Sequence, residues 1–207
     1  MNHFPSAAAR SGLEVSSETT RKLVFAGVFA ALTYVVFTFL SIPIPTIGGS
    51  KVTVHLGNAF CALGALLIGS FYGGIGGAVG LTIADLLDPV YLVQAPVTFF
   101  IKLAMGALVG LIAHRFGHIT TEKSHAKILR WVTAAVLAGM IFNALVDPTV
   151  RYFYKILVLG KPAAEVSFAI NFGVTLINSV VSTFVAVILY MSMRIPLKKA
   201  GLFFTFK

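Results

Sequence analysis

Asp85 and Lys102 are ionisable side chains set inside otherwise apolar stretches. A charge at membrane depth is costly unless it is paired or wetted. Only a short connection separates their two segments, which therefore form an antiparallel hairpin. Each residue lies a similar distance from that turn, so the two can meet. They either neutralise one another or touch a bound solute, and spacing alone leaves both readings open. Other polar groups cluster nearby in the sequence. His55 and Asn58 are three apart and share one helical face. Asp88, Tyr91 and Gln94 follow Asp85, and Asn143 and Asp147 come later. Asn171 and Asn178 are seven apart, two turns along one face. Together these groups suit a small ring with several hydrogen-bonding positions. The competing reading is structural. Amides inside a bundle glue helices together, and the Asp-Pro steps at 88–89 and 147–148 end helices. A single His at the edge of an apolar segment is commonly a hydrogen-bonding partner for its neighbours. Tyr91, Tyr152 and Tyr154 fit either an interfacial belt or a stack on a flat ligand.

Nothing in the chain reads as catalysis. There is no GxxxxGK[ST] phosphate loop, no HExxH and no GxSxG. Cys61 is the single cysteine, so no internal disulfide forms and no Cys/His cluster offers a metal site. We assign no catalytic residue, no metal ligand and no cofactor, and expect a binding protein and not an enzyme.

The elements that position these residues are apolar helices. Hydrophobic residues make up 57% of the 207 residues and charged residues only 11%. A soluble domain has about a quarter of its residues charged. Mean hydropathy is +0.92. Six apolar segments are predicted: Leu23 to about Leu40, Val54 to Ser70, Ile75 to Leu87, Val93 to Ala113, Val132 to Val146, and Phe168 to Met193. Phe71 to Gly74 reads as a tight turn. Several segments fall below the ~20 residues that cross a bilayer unaided. Short, Gly-rich spans with polar ends border a chamber more readily than lipid. The fold class is therefore all-α, a polytopic membrane protein of six transmembrane helices.

Charge orients it. The net charge is +9, without the basic-aromatic interleaving of a nucleic-acid binder. With six spans, one side holds Arg10, Arg21, Lys22, Arg115, Lys123, Lys127, Arg130, Arg194, Lys198, Lys199 and Lys207. The other holds only Lys51, Arg151, Lys155 and Lys161. Basic residues collect in the cytoplasm, so both termini are placed there. Residues 1–20 read as a flexible cytoplasmic tail, 21–194 as the membrane domain, and 195–207 as a basic cytoplasmic tail. Small residues line the first span. Ala26 and Ala30, and Gly27 and Ala31, are each four apart, a stripe that lets backbones approach closely. Internal packing and docking of a partner explain that stripe equally well.

The block His55-Leu-Gly-Asn-Ala-Phe-Cys61, the Gly-rich spans, Thr82-Ile-Ala-Asp85-Leu-Leu-Asp88-Pro-Val-Tyr91 and the Lys102 segment together resemble the S-components of energy-coupling factor (ECF) vitamin transporters. The similarity extends from about Arg21 to Met193 and is nearest the riboflavin-type and vitamin B6 or hydroxymethylpyrimidine-type branch. The resemblance implies a six-helix fold with an outward-facing pocket and a closing loop at Ile42 to Thr53. It implies a bacterial plasma-membrane protein that captures a vitamin and topples in the membrane to release it. It implies partners as well: a transmembrane coupling (T) subunit and two cytosolic ATPases. The family's AxxxA motif matches Ala26 and Ala30, which tips the stripe toward partner docking. The substrate expected is of pyridoxine or hydroxymethylpyrimidine type, then riboflavin. The rival reading is a stand-alone ion-coupled carrier using Asp85 and Lys102 as a proton relay.

Overall fold

A computed structural model describes residues 7–45, 51–160 and 164–206. It contains six α-helices and one two-stranded sheet. Helix α1 (Ala7–Phe39) leads into strands β1 (Ser41–Pro45) and β2 (Lys51–His55). Helices α2 (Gly57–Ile68) and α3 (Ser70–Leu87) follow. A short 3-10 turn at Leu92–Gln94 precedes α4 (Ala95–Leu111). The chain closes with α5 (His125–Leu157) and α6 (Ala164–Lys199).

Among the described residues, five helical stretches are long and apolar enough to cross a membrane: Ser17–Phe39, Ser70–Leu87, Leu92–Phe116, His125–Leu157 and Phe168–Lys199. Their outer faces carry exposed Leu23, Val28, Phe100, Ile141, Val180, Phe184 and Ile188. Such a belt is stable against lipid and not against water. The apolar helix α2 is only 12 residues long. It needs no lipid-matched length, because every residue except Phe60 is buried among the other helices. The core gathers around it, with Leu63, Leu66, Met105, Ile128, Val136, Met140 and Tyr190 almost wholly enclosed.

Glycine lets α3 run through the middle of this packing. Gly73 lies against the backbone of Gly64 and Ala65, and Gly77 against Cys61, both in α2. Gly76 and Gly80 lie against the backbone carbonyls of Ala26 and Ala30 in α1. Gly74 meets Leu103 and Ala107 of α4. Glycines on three sides of α3 thus serve three neighbours: toward α1 and α2 a Cβ does not fit, and toward α4 the approach at Gly74 is tight, at 3.2 Å. Replacing Gly77 by valine is expected to cost at least the ~1–3 kcal/mol of an overpacked core, because the obstacle includes the Cys61 backbone. Thermal denaturation of the purified variant checks this, with Gly173→Ala, which meets nothing within 4 Å in helix α6, as the reference that keeps or gains stability.

The small-residue stripe of α1 is divided by the same packing. Ala26 is 4% exposed and it and Ala30 back onto α3, whereas Gly27 and Ala31 are exposed and Gly27 has nothing within 4 Å.

Several boundaries differ from the sequence reading. The expected closing loop is a β-hairpin; its residues 46–50 lie outside the described residues. Val54 and His55 belong to β2, so the second helix starts at Gly57. The α2–α3 turn falls at Gly69, whose φ of +89° suits glycine, and Phe71 to Gly74 are already helical. Helix α5 runs through Pro148 to Leu157, so the Asp147-Pro148 step does not end it. Thr149 Oγ1 donates to the Leu145 carbonyl beside that proline. The N-terminal segment assigned as a tail is helical from Ala7, and residues 1–6 lie outside the described residues. At the other end α6 reaches Lys199, and the chain then folds back. Phe204 packs edge-on against Phe25, and Phe206 lies 4.3 Å from the His114 ring.

Candidate functional site

The hairpin roofs a cavity at the ends of α3, α4, α5 and α6. Its strands pair antiparallel, with Pro43 opposite Thr53 and Pro45 opposite Lys51. Prolines suit β1 because an edge strand has no need of every N–H. The other edge of β2 is closed by one side chain. Asn178 accepts the His55 N–H through Oδ1 at 3.0 Å and donates through Nδ2 to the Thr53 carbonyl at 2.9 Å. An amide thus does for β2 what a third strand would do. On the opposite flank the Tyr91 hydroxyl donates to the Lys51 carbonyl at 3.0 Å and meets Thr53 Oγ1 at 2.8 Å. Burial holds the Tyr91 phenol up at about 12, so it stays a donor at any ordinary pH.

Below the roof lies an ionic network. Asp147 of α5 is its hub, 4% exposed. It accepts from Arg151 Nε at 2.9 Å and lies 3.3 Å from Lys102 Nζ. Lys102 also donates to Asn143 Oδ1 at 2.5 Å. Arg151 continues to Gln94 at 3.0 Å and to Thr98 Oγ1 at 2.7 Å, and Thr98 donates to Asp85. Two carboxylates and two cations are thereby matched within one chain of bonds, which offsets the cost of burying them. Asp85 and Lys102 do not pair, contrary to the hairpin argument. Thr98 sits one turn before Lys102 on α4 and takes Asp85, while Lys102 turns to α5.

The cavity is lined by His55, Asn58, Asp85, Tyr91, Gln94, Lys102, Asn143, Asp147 and Asn171. Its atom-free space, open solvent at its mouth included, is about 610 Å³. Three sequence candidates are elsewhere: Asp88 pairs with Lys51 at 2.6 Å and caps Val90 at 2.9 Å, Tyr154 donates to the Val93 carbonyl, and Tyr152 packs on Phe153 and Phe168. Asn178 lines it too, and the lining adds Phe37, Lys51, Thr53, Thr98, Arg151, Lys155 and Thr175. The sequence reading places Arg151 and Lys155 in an outer loop, whereas α5 runs on to Leu157 and carries both to the cavity. Asn171, Thr175 and Asn178 fall on one face of α6, a polar row at i, i+4 and i+7 that the sequence displays plainly. Asn58 Oδ1 and Asn143 Nδ2 are enclosed without a hydrogen-bond partner. Buried polar atoms are normally satisfied, and both of these belong to side chains of the lining.

His55 is neutral here. Burial first, and then the Lys102 charge, lower its pKa to about 3. Its Nδ1 accepts the Gly57 N–H at 3.1 Å, a role that protonation removes. Between about pH 6.5 and 3 the unfolded chain binds this proton and the folded chain does not, so stability falls as pH falls through that window. The melting temperature should therefore drop from pH 7 to pH 5, and His55→Asn should flatten the drop.

The sequence model of the family described as ECF-type riboflavin transporter, S component, matches residues 17–195. The chain belongs to this family. The solved structure of the S component of a bacterial ECF transporter shares its fold, with a TM-score of 0.55 at 21% identity, over 87% of this chain and 99% of that one. Comparison with curated proteins finds none that matches. As an ECF S component, the chain is a vitamin-capturing subunit of a membrane transporter and not a member of an enzyme family. Membership implies a vitamin substrate and, as partners, an ECF T subunit and ATPases.

Proposed function

We propose that this S component captures a small, neutral, polar ring-bearing vitamin of pyridoxine or hydroxymethylpyrimidine type in the hairpin-roofed cavity. The observation that carries the reading is the balance of the lining. Asp85 and Asp147 are matched within the network by Lys102 and Arg151, which leaves that network no demand for a charged ligand. Amides and hydroxyls supply the rest: Asn58, Asn143, Asn171, Thr175 and Gln94. Riboflavin is the second choice, although it is the family's named substrate. Among the described residues, the fully apolar side chains in the lining are Phe37, Val52 and Leu81, a thin surface for a three-ring flavin.

Capture occurs from outside, with both termini in the cytoplasm of a bacterial cell and six helices in its plasma membrane. The count of Lys and Arg on the two sides supports that orientation. The protein then docks on the T subunit through the α1 face that carries Gly27 and Ala31, and the partner ATPases drive release. That face is free of internal contacts at Gly27.

The test is a thermal-stability panel of vitamins and precursors on the purified protein in detergent. A ligand of the folded state at 100 times its Kd adds about 2.7 kcal/mol. A shift with pyridoxine or hydroxymethylpyrimidine is the expected result. A shift with riboflavin alone would reverse the order of substrates, and no shift with any vitamin would remove the capture assignment from this cavity.

A further inference from the structure

Two of the amides in the cavity wall are held by cations. Lys102 Nζ donates to Asn143 Oδ1 at 2.5 Å, and Arg151 donates to Gln94 Oε1 at 3.0 Å. An ammonium and a guanidinium carry donors only. Each amide must therefore turn its oxygen to the cation, because a flip would set N–H against N–H. The NH2 end of each is left over. Asn143 is 0% exposed and its Nδ2 has no partner among the described residues. Gln94 is 7% exposed, and its Nε2 makes no hydrogen bond among the described residues.

The groups beside them are already engaged. Asp147 faces Lys102 and Arg151. Thr98 accepts from Arg151 and gives its own hydrogen to Asp85. Asn178 uses both ends of its amide on β2. What this wall still offers a ligand is donors. The cations strengthen them, since a charge at the amide oxygen polarises the NH2 through the chain of hydrogen bonds. Positive charge reaches the ligand side as polarised N–H, which suits a neutral ring with electron-rich nitrogens. Asn58, on α2, is different. Its Oδ1 has no partner, and no ion or hydrogen bond among the described residues fixes its amide, so either end can face a ligand.

We infer that Asn143 Nδ2 and Gln94 Nε2 donate to unprotonated nitrogens of a heteroaromatic ring, and that the pair selects a pyrimidine over a pyridine. This deepens the capture function proposed above and rests on it. The chemistry is a count of acceptors: a pyrimidine ring carries two nitrogens with lone pairs, one for each fixed donor, and a pyridine carries one. With a pyridine, one buried N–H stays unpaired, and that lost bond sets the preference.

Isosteric changes test the polarity. Asn143→Asp and Gln94→Glu keep the oxygen that meets the cation and replace the NH2 by an oxygen with no hydrogen to give. The probes are hydroxymethylpyrimidine, its two deaza analogues with one ring nitrogen replaced by C–H, pyridoxine and riboflavin. Calorimetric titration of the purified protein in detergent gives Kd for each. Either variant should bind hydroxymethylpyrimidine about 5- to 150-fold more weakly, the factor for a buried group left without its partner. Each deaza analogue should lose a similar factor on the wild-type protein. It should lose much less on the variant that faces the missing nitrogen, because that bond is already gone.

A ligand that leads with N–H or O–H would bind the carboxylate variants as well or better, and that result overturns the donor assignment. So do deaza analogues that bind the wild type as tightly as the parent, a comparison that requires no variant to fold. Tighter binding of pyridoxine, or binding of riboflavin alone, would overturn the pyrimidine preference and leave capture standing. Binding of none of the probes would remove the capture reading and this selectivity with it.

Discussion

Replacing Asp147 by alanine is expected to abolish ligand capture and to lower the melting temperature more than any other single change in the cavity. Asp147 is the one acidic group shared by Lys102 and Arg151. Removing it breaks both ion pairs and leaves Asp85, reached through Thr98, as the counter-charge to two enclosed cations; loss of one partner of a buried pair typically costs ~3–5 kcal/mol. The geometry fails too, because Lys102 and Arg151 hold Asn143, Gln94 and Thr98 in place. A double-mutant cycle isolates the cause. Adding Lys102→Met to Asp147→Ala removes one stranded charge and should restore part of the lost stability, a departure from additivity diagnostic of direct coupling. Strictly additive losses in the melting experiment would mean that Asp147 is not the hub.

A bulky apolar residue at Gly27 is expected to stop uptake while leaving vitamin affinity intact. A Cβ there meets nothing within 4 Å among the described residues. It projects instead from the exposed face of α1, where Ala31 lies one turn on. Close approach of a partner helix needs small residues on both surfaces, and a leucine holds the backbones apart. Gly27→Leu should therefore bind the vitamin with unchanged Kd and support little or no uptake in cells that carry the coupling subunit and ATPases. Full uptake would place the docking face elsewhere. Ala26 is a poorer probe, since its backbone is packed on Gly76 and enlargement there threatens the fold as well as the docking.

The class of the fold is plain from the long unbroken apolar runs, because such runs cross lipid as helices, whereas barrel strands alternate apolar and polar residues. Polar residues inside apolar segments also identify themselves, since their cost demands a purpose, and most of the cavity lining is found that way. Partnership is harder to read. Counting from the turn put Asp85 opposite Lys102, but a hairpin count carries no information about the third helix. Asn143 and Asp147 of α5 reach Lys102, and Thr98 intercepts Asp85. Proline misled at one point. Pro148 lacks an N–H and reads as a stop, yet α5 is packed on its neighbours there and continues. That single extension brings Arg151 one turn above Asp147 and into the network. The roof is missed for another reason. Val52, Thr53 and Val54 are as compatible with a buried helix as with a short strand, and the deciding contact, from Asn178, lies far along the chain. The α1 stripe shows the same limit: two small pairs with equal spacing divide between an internal face and an exposed one, and only the position of α3 tells them apart.

The most direct test of the central claim is equilibrium binding of labelled pyridoxine and hydroxymethylpyrimidine to the purified chain alone, without coupling subunit, ATPases or nucleotide. The expected result is saturable binding to one site per chain, abolished by Asp147→Ala and retained by Gly27→Leu. No saturable binding of any vitamin to folded protein, or binding that survives the loss of Asp147 unchanged, would contradict capture in this cavity.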